Sequence, residues 1–236
     1  MTLHIHFLCM MPRDAEALNT ALKTTPLPSS ITHTLHQSDL KKLPLDVKFD
    51  TIVSPANSFG RLDGGFDDAI SRAFSPAGDY LALTKHVQSH LYTEWKGFAP
   101  PGTCTLIPIP ETFAETSKFG KRFQTKHLAL CPTMRIPQSA EWDREIVYEC
   151  VWSLLCAIDK HNSSLSTSAQ QDKIQNILMT PLATGIGRVS PQRWANQLLL
   201  AIKHFDDAKE NEDKWKALEV PHILDCSQEV IDTWTL

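Results

Sequence analysis

The chain has 236 residues, of which 42% are hydrophobic and 21% charged, a globular composition that excludes a disordered or fibrous protein. That length can bury a full core, and one domain is the default. A net charge of −4 argues against a broad basic face, so general nucleic-acid or acidic-lipid binding is not expected. The N-terminal run MTLHIHFLCMMPRD has no basic segment and too short an apolar stretch for a signal peptide. No apolar run reaches transmembrane length.

Taken in chain order, LHIHFLC (Leu3 to Cys9) reads as a strand, and PRDAEALNTALK as a helix with Pro12 in its first turn. ITHTLHQ (Ile31 to Gln37) alternates like a strand, SDLKKLP forms a short turn, and DTIVSPA is the next strand. The loop PANSFGRLDGG leads into the helix start DDAISRAF, followed by a second helix in GDYLALTKHVQSHLY. TCTLIPI and KHLALC are strands on either side of a Lys- and Phe-rich insertion, residues 111–126. We expect the insertion to be a solvated loop with an apolar anchor. A long helix is predicted from Glu141 to about His161, with the Trp142 to Trp152 region contributing helix core. After a Ser-rich loop, KIQNILMTPLA is a strand ending in TGIGR. SPQRWANQLLLAIKHF is a helix with Ser190 as N-cap and Pro191 in its first turn. KENEDKW is a charged surface segment, HILDC is expected as the final strand and SQEVIDTW as a closing turn or helix. Strands separated by helical patterns predict an α/β sheet covered on both faces.

The 6 cysteines have no metal-ligand spacing and sit largely in apolar runs, which fits buried thiols rather than a disulfide framework. A reducing, cytoplasmic setting is expected, with the nucleus left open. The 10 histidines form no convincing metal pair, and no nucleophile elbow or Walker lysine is present, so no metal and no cofactor are expected.

Two loops have the position where open α/β sheets bind ligands, namely PANSFGRLDGG and LATGIGRVS. Each puts glycines before a helix N-terminus, where unpaired N–H groups and the helix dipole favour an anion. Two such loops facing each other could clasp a diphosphate, although tight turns alone would also use the glycines. Asn57 is either a turn residue bonding its own backbone or a ligand for a sugar hydroxyl. Asp39 is either the N-cap of a short turn or an acceptor for a base amino group. Asp67 and Asp68 both fall in the first turn of a helix, and the sequence does not separate their roles.

The order QSDLKKL, DTIVSPANSFGRLDGGFDDAI, PLATGIGRV resembles the macrodomain family, an ADP-ribose-binding module. The matching residues are Asp39 and Leu40, then Asn57, then Gly64, Gly65, Phe66 and Asp67, then Thr184, Gly185, Ile186 and Gly187. The segment LCPTMRIP (Leu130 to Pro137) looks like a feature of a macrodomain-like branch found in bacteria and fungi. The resemblance implies a three-layer α/β/α fold with a central mixed sheet of six or seven strands. It further implies a single macrodomain over 1–236, its ligand-binding core at about 31–236 and the strand-helix unit 1–25 packed on it. A monomer with ADP-ribose or an ADP-ribosylated substrate as its partner is expected.

By the same resemblance, Asp39 would receive the adenine amino group and Leu40 would pack on the base. Asn57 would contact the distal ribose, while the Gly64, Gly65 and Phe66 segment and the Thr184–Gly187 loop would hold the diphosphate. Asn57 and Asp67 would position a water for hydrolysis of a group on the distal ribose, as an ADP-ribose 1″-phosphatase or a mono-ADP-ribosyl hydrolase. A reader that binds without turnover is the alternative. The chain departs from the family pattern in two places. Arg61, Leu62 and Asp63 precede only two glycines, and Ile186 runs directly into Gly187 and Arg188, so Arg61 or Arg188 becomes a candidate for contacting a terminal phosphate.

Overall fold

The computed structural model describes residues 2–236. Six strands form a single mixed sheet: β1 (Leu3–Leu8), β2 (Ile31–His36), β3 (Thr51–Ser54), β4 (Thr105–Pro108), β5 (His127–Leu130) and β6 (Asn176–Met179). Their spatial order is β2-β1-β6-β3-β5-β4. Every neighbouring pair is parallel except β4, which runs antiparallel to β5 at the sheet edge. β3 is buried along its whole length, and β5 and β6 are buried beyond their first residues, as expected for strands covered on both faces.

The helices are α1 (Pro12–Thr24), α2 (Gly65–Phe74), α3 (Ala82–Trp95), α4 (Glu111–Thr116), α5 (Gly120–Phe123), α6 (Ile146–Ser164), α7 (Pro191–Glu210), α8 (Glu212–Lys216) and α9 (Val220–Ile231). The period of two along each strand splits the core into two layers. Ile5, Phe7, Val53, Ala129 and Ile177 pack with α1, α6 and α7. Ile52, Leu128, Leu130 and Leu178 face the other way, against α2 and α3. The result is the three-layer α/β/α arrangement with a six-stranded mixed sheet.

The N-terminal strand is interior. β1 lies between β2 and β6 and pairs with both in parallel. HILDC is the one predicted strand that the structure replaces: it lies inside α9. The sheet position beside β6 is already filled by β1. Val220, Ile223, Leu224, Val230 and Ile231 recur at helical rather than alternating spacing, and Pro221 starts the first turn.

The insertion folds into α4 and α5 around a buried Phe123, which stacks on Phe49 at 4.8 Å between ring centroids. Trp142 precedes α6 and is exposed, so it is not helix core, whereas Trp152 stacks on Trp215 at 5.6 Å. His4 lies 2.7 Å from Thr32 Oγ1, and His6 Nδ1 lies 3.0 Å from His36 Nε2, so the strand histidines bond neighbouring side chains. All six cysteines are free thiols. Among the described residues no helix is long and apolar enough to cross a membrane.

Ser190 caps α7 as expected. Its Oγ accepts from Arg193 N at 3.0 Å and donates to the Leu236 carbonyl at 2.7 Å, tying the C-terminus to the helix start. Ser190→Ala should therefore cost about 1 kcal/mol or slightly more. A drop of about 2–4 °C in the unfolding midpoint is the expected reading, and an unchanged midpoint would refute the cap.

Candidate functional site

The sheet order decides where the site lies. β1, β6 and β3 are adjacent and parallel, so the segments leaving their carboxyl ends meet along one edge. They enclose a cleft of about 280 Å³. The two Gly-rich loops both line it, one after β3 and one after β6.

In the first loop, the Asn57 amide is used by its own turn. Nδ2 donates to the Arg61 carbonyl at 2.7 Å, and Oδ1 accepts from Phe59 N at 3.1 Å and Arg61 N at 3.3 Å. An amide nitrogen has two N–H bonds, so one remains for a ligand while the other holds the loop. Asn57, Gly64, Gly65, Phe66 and Asp67 all line the cleft. Gly65 has φ +56°, and no atom lies within 4 Å of a side-chain carbon placed on Gly64 or Gly65. The backbone there is open to an approaching group.

The structure separates the two aspartates at the start of α2. Asp68 faces outward, accepting from Arg72 Nε at 2.8 Å and from the Tyr80 hydroxyl at 2.6 Å. Asp67 points inward with 6% of its surface exposed, and Ser54 Oγ donates to its Oδ1 at 2.6 Å. Oδ2 has no hydrogen-bond partner among the described residues. Burial pushes the Asp67 carboxyl up to about 7, against the Ser54 bond that favours the ion and with a small upward push from Asp63.

The second loop is closed by Arg188 N donating to Gly185 O at 3.1 Å and Val189 N donating to Ala183 O at 3.1 Å. Ala140 N donates to Gly187 O at 2.8 Å. The N–H groups of Thr184, Gly185, Ile186 and Gly187 have no acceptor among the described residues. A run of unpaired backbone donors beside a cleft is suited to an anion. Arg188 has φ +59°, is exposed and lies outside the cleft wall, while Arg61 lines the cleft and donates through Nε to Asp63.

Asp39 and Leu40 are not brought to the cleft wall. Asp39 Oδ1 accepts from Lys41 N at 3.0 Å and Lys42 N at 3.1 Å, the N-cap of a short 3-10 turn. The Lys42 ammonium, bonded to its carboxylate, holds Asp39 below its ordinary range. Leu40 is buried in the layer under α2.

Sequence reasoning missed the β1–α1 junction, where Met10, Met11, Arg13 and Asp14 line the cleft. The rule that picked out the other two loops would have flagged it, because it too leaves the end of a parallel strand. It lacks glycine, and so drew no attention. Thr133 and Met134, inside the LCPTMRIP segment but given no site role there, also line the cleft, and their backbone continues β5 alongside the first loop: Thr133 N donates to Ala56 O and Ser58 N to Met134 O, each at 2.9 Å. Among the described residues no group of three or more His, Cys, Asp or Glu side chains is placed to hold a metal ion.

No family model matches the chain, and no curated protein matches it. Solved structures of the Oceanobacillus iheyensis macrodomain do. A glycine-to-valine mutant of it with ADPR aligns at 18% identity over 68% of this chain and 73% of that one, with a TM-score of 0.50. The same macrodomain with ADP aligns at 20% identity over 66% and 69% of the two chains, with a TM-score of 0.48. Together with the three layers and the sheet order, the first of these alignments shows that this chain has the macrodomain fold.

Proposed function

We propose that the cleft binds ADP-ribose or a derivative and that the protein hydrolyses a group from the distal ribose. One observation carries the reading. Two loops, one with four N–H groups that have no acceptor among the described residues and one with open glycine backbone, border the same cleft as a buried carboxyl with a pKa near neutrality. The Oceanobacillus iheyensis macrodomain mutant of similar fold was solved with ADPR, which supports a ligand of that kind for this cleft.

In this reading the Thr184–Gly187 loop and the Gly64–Gly65–Phe66 segment hold the diphosphate through backbone donors. Asn57 spans its loop and offers its second N–H to the distal ribose. Asp67 takes a proton from a water at its free Oδ2 as that water attacks the bond to a phosphate or a protein side chain. A carboxyl near 7 is matched to this work, since it is ionised enough to accept a proton and basic enough to hold it. The loops supply fixed dipoles where negative charge develops.

Calorimetry with ADP-ribose, run beside assays of phosphate release from ADP-ribose 1″-phosphate and of loss of ADP-ribose from a mono-ADP-ribosylated protein, tests the reading. Binding with turnover in either assay is the expected result. Binding without turnover in both would make the protein a reader, and absence of binding would overturn the reading altogether.

A further inference from the structure

We propose that Cys104 and Cys131 are a redox-reversible pair, closing a disulfide across the edge of the sheet when peroxide oxidises them and opening again under thiol reductants. The inference is independent of the ADP-ribose reading.

The strand register brings the two together. β4 and β5 pair antiparallel from Pro108 opposite His127 to Thr105 opposite Leu130, and one further step puts Cys104 directly opposite Cys131. Cys131 turns its backbone toward β3. Its N–H donates to Ser54 O at 2.9 Å, and its carbonyl accepts from Ala56 N at 3.0 Å. The two cysteines are therefore a non-hydrogen-bonded pair, the kind whose Cα atoms approach to about 4.5 Å and whose side chains lie closest. That separation falls inside the range of about 4.4–6.8 Å that a disulfide spans. Cys131 belongs to the core layer that packs with α6, and Cys104 packs against the same layer, so both side chains share one face of the sheet. Their contact is also felt chemically. The Cys104 thiol is the largest of the influences that hold the Cys131 thiol well above its ordinary range, ahead of burial.

Exposure decides which sulfur reacts first. Cys104 is half-buried and within reach of a small oxidant, whereas Cys131 is 0% exposed. The Cys104 sulfur attacks one oxygen of hydrogen peroxide, the O–O bond breaks, and the departing oxygen leaves as water with the thiol proton. Cys104 is then a sulfenic acid. The Cys131 sulfur attacks the Cys104 sulfur, the S–S bond forms as the S–O bond breaks, and the hydroxyl leaves with the Cys131 proton as a second water. Cys150, a third thiol in this layer, is held by a bond of its own: its Sγ donates to Pro132 O at 3.4 Å. A disulfide here would act as a staple, because β4 is the edge strand, paired with β5, and the closed loop contains the insertion 111–126.

The test treats the full chain with hydrogen peroxide under native conditions, alkylates the remaining thiols and maps the digest by mass spectrometry. A Cys104–Cys131 cross-link is expected, and dithiothreitol should remove it. The cross-linked protein should unfold at least about 4 °C above the reduced form, because closing a loop of this length constrains the unfolded chain. Cys104→Ser should show neither the cross-link nor the rise. The proposal is overturned if wild type forms no cross-link between these two cysteines, or if Cys104 pairs with Cys150 instead. Neither result needs a variant to fold. It is equally overturned if the cross-link resists dithiothreitol, if cross-linked and reduced protein unfold at the same temperature, or if peroxide raises the midpoint of Cys104→Ser as much as that of wild type.

Discussion

Asp67→Asn should lose at least about a hundredfold in turnover of the scissile ADP-ribose derivative, while binding ADP-ribose within about threefold of wild type. The amide keeps the volume and an oxygen that can still accept from Ser54 Oγ, so the loop geometry survives. What disappears is the proton acceptor. Wild-type turnover should accordingly be low in acid and rise as pH passes through about 7, because a base must be ionised to act. Equal turnover by mutant and wild type on both substrate classes would remove Asp67 from the chemistry.

The same substitution carries a stability signature of opposite sense. A carboxyl whose folded pKa is about 7 binds its proton more tightly than the unfolded chain, where 3.8 is the ordinary value. Well below pH 3.8 both states are protonated and the group is neutral in its effect. As pH rises from about 4 to 7 the unfolded state ionises first and is favoured, so stability is lost across that window and stays lost above it. Asp67→Asn lacks this penalty. Its unfolding midpoint should match wild type near pH 4 and exceed it at pH 8, by on the order of 2–4 kcal/mol in free energy. Parallel midpoints across that pH range would mean that the buried carboxyl does not titrate late.

Gly187→Ala is the second large expected effect. A side-chain carbon at this position would sit 2.4 Å from the Ala183 carbonyl oxygen and 3.1 Å from its carbonyl carbon and Cα. These are backbone atoms and cannot swing aside as a flexible side chain would. The turn that presents the unpaired donors must open, at a cost of about 1–3 kcal/mol. ADP-ribose affinity should fall by about tenfold to a hundredfold with it. Gly185→Ala is the matched control, because no atom lies within 4 Å of the added carbon and its φ is not in the left-handed region, so its unfolding midpoint should remain that of wild type. If Gly187→Ala keeps both its midpoint and its affinity, the closed form of the loop is not what holds the ligand.

Much of this molecule is written in short-range pattern. The alternation in Ile31–His36, the apolar runs of β3, β5 and β6, and the Ser190–Pro191 start of α7 all depend on neighbours along the chain, and each was legible. Glycines at strand-to-helix junctions marked both loops of the cleft for the same reason. HILDC shows the limit of such reading. Five residues with an apolar pair fit a strand or a helix, and the helical spacing of the wider segment Val220–Ile231 settles it only together with the sheet, where β1 already occupies the place beside β6.

The residue roles were less legible, because they turn on what lies across the fold. Asp67 and Asp68 are neighbours of one kind in the sequence. Helix geometry turns one toward Ser54 and the cleft and the other toward Arg72 and Tyr80, and only the buried one has its carboxyl pushed up. Asp39 matches a family motif, yet its carboxylate is spent on a cap.

By itself, then, the sequence determined the class of fold, the two glycine loops and the type of ligand chemistry they suit, since backbone conformation and capping are set by local residues. Tertiary structure alone decided that β1 enters the sheet between β2 and β6, carrying Met10, Met11 and Asp14 to the cleft. Strand order is fixed by long-range burial, which leaves no mark in the short window around any one strand.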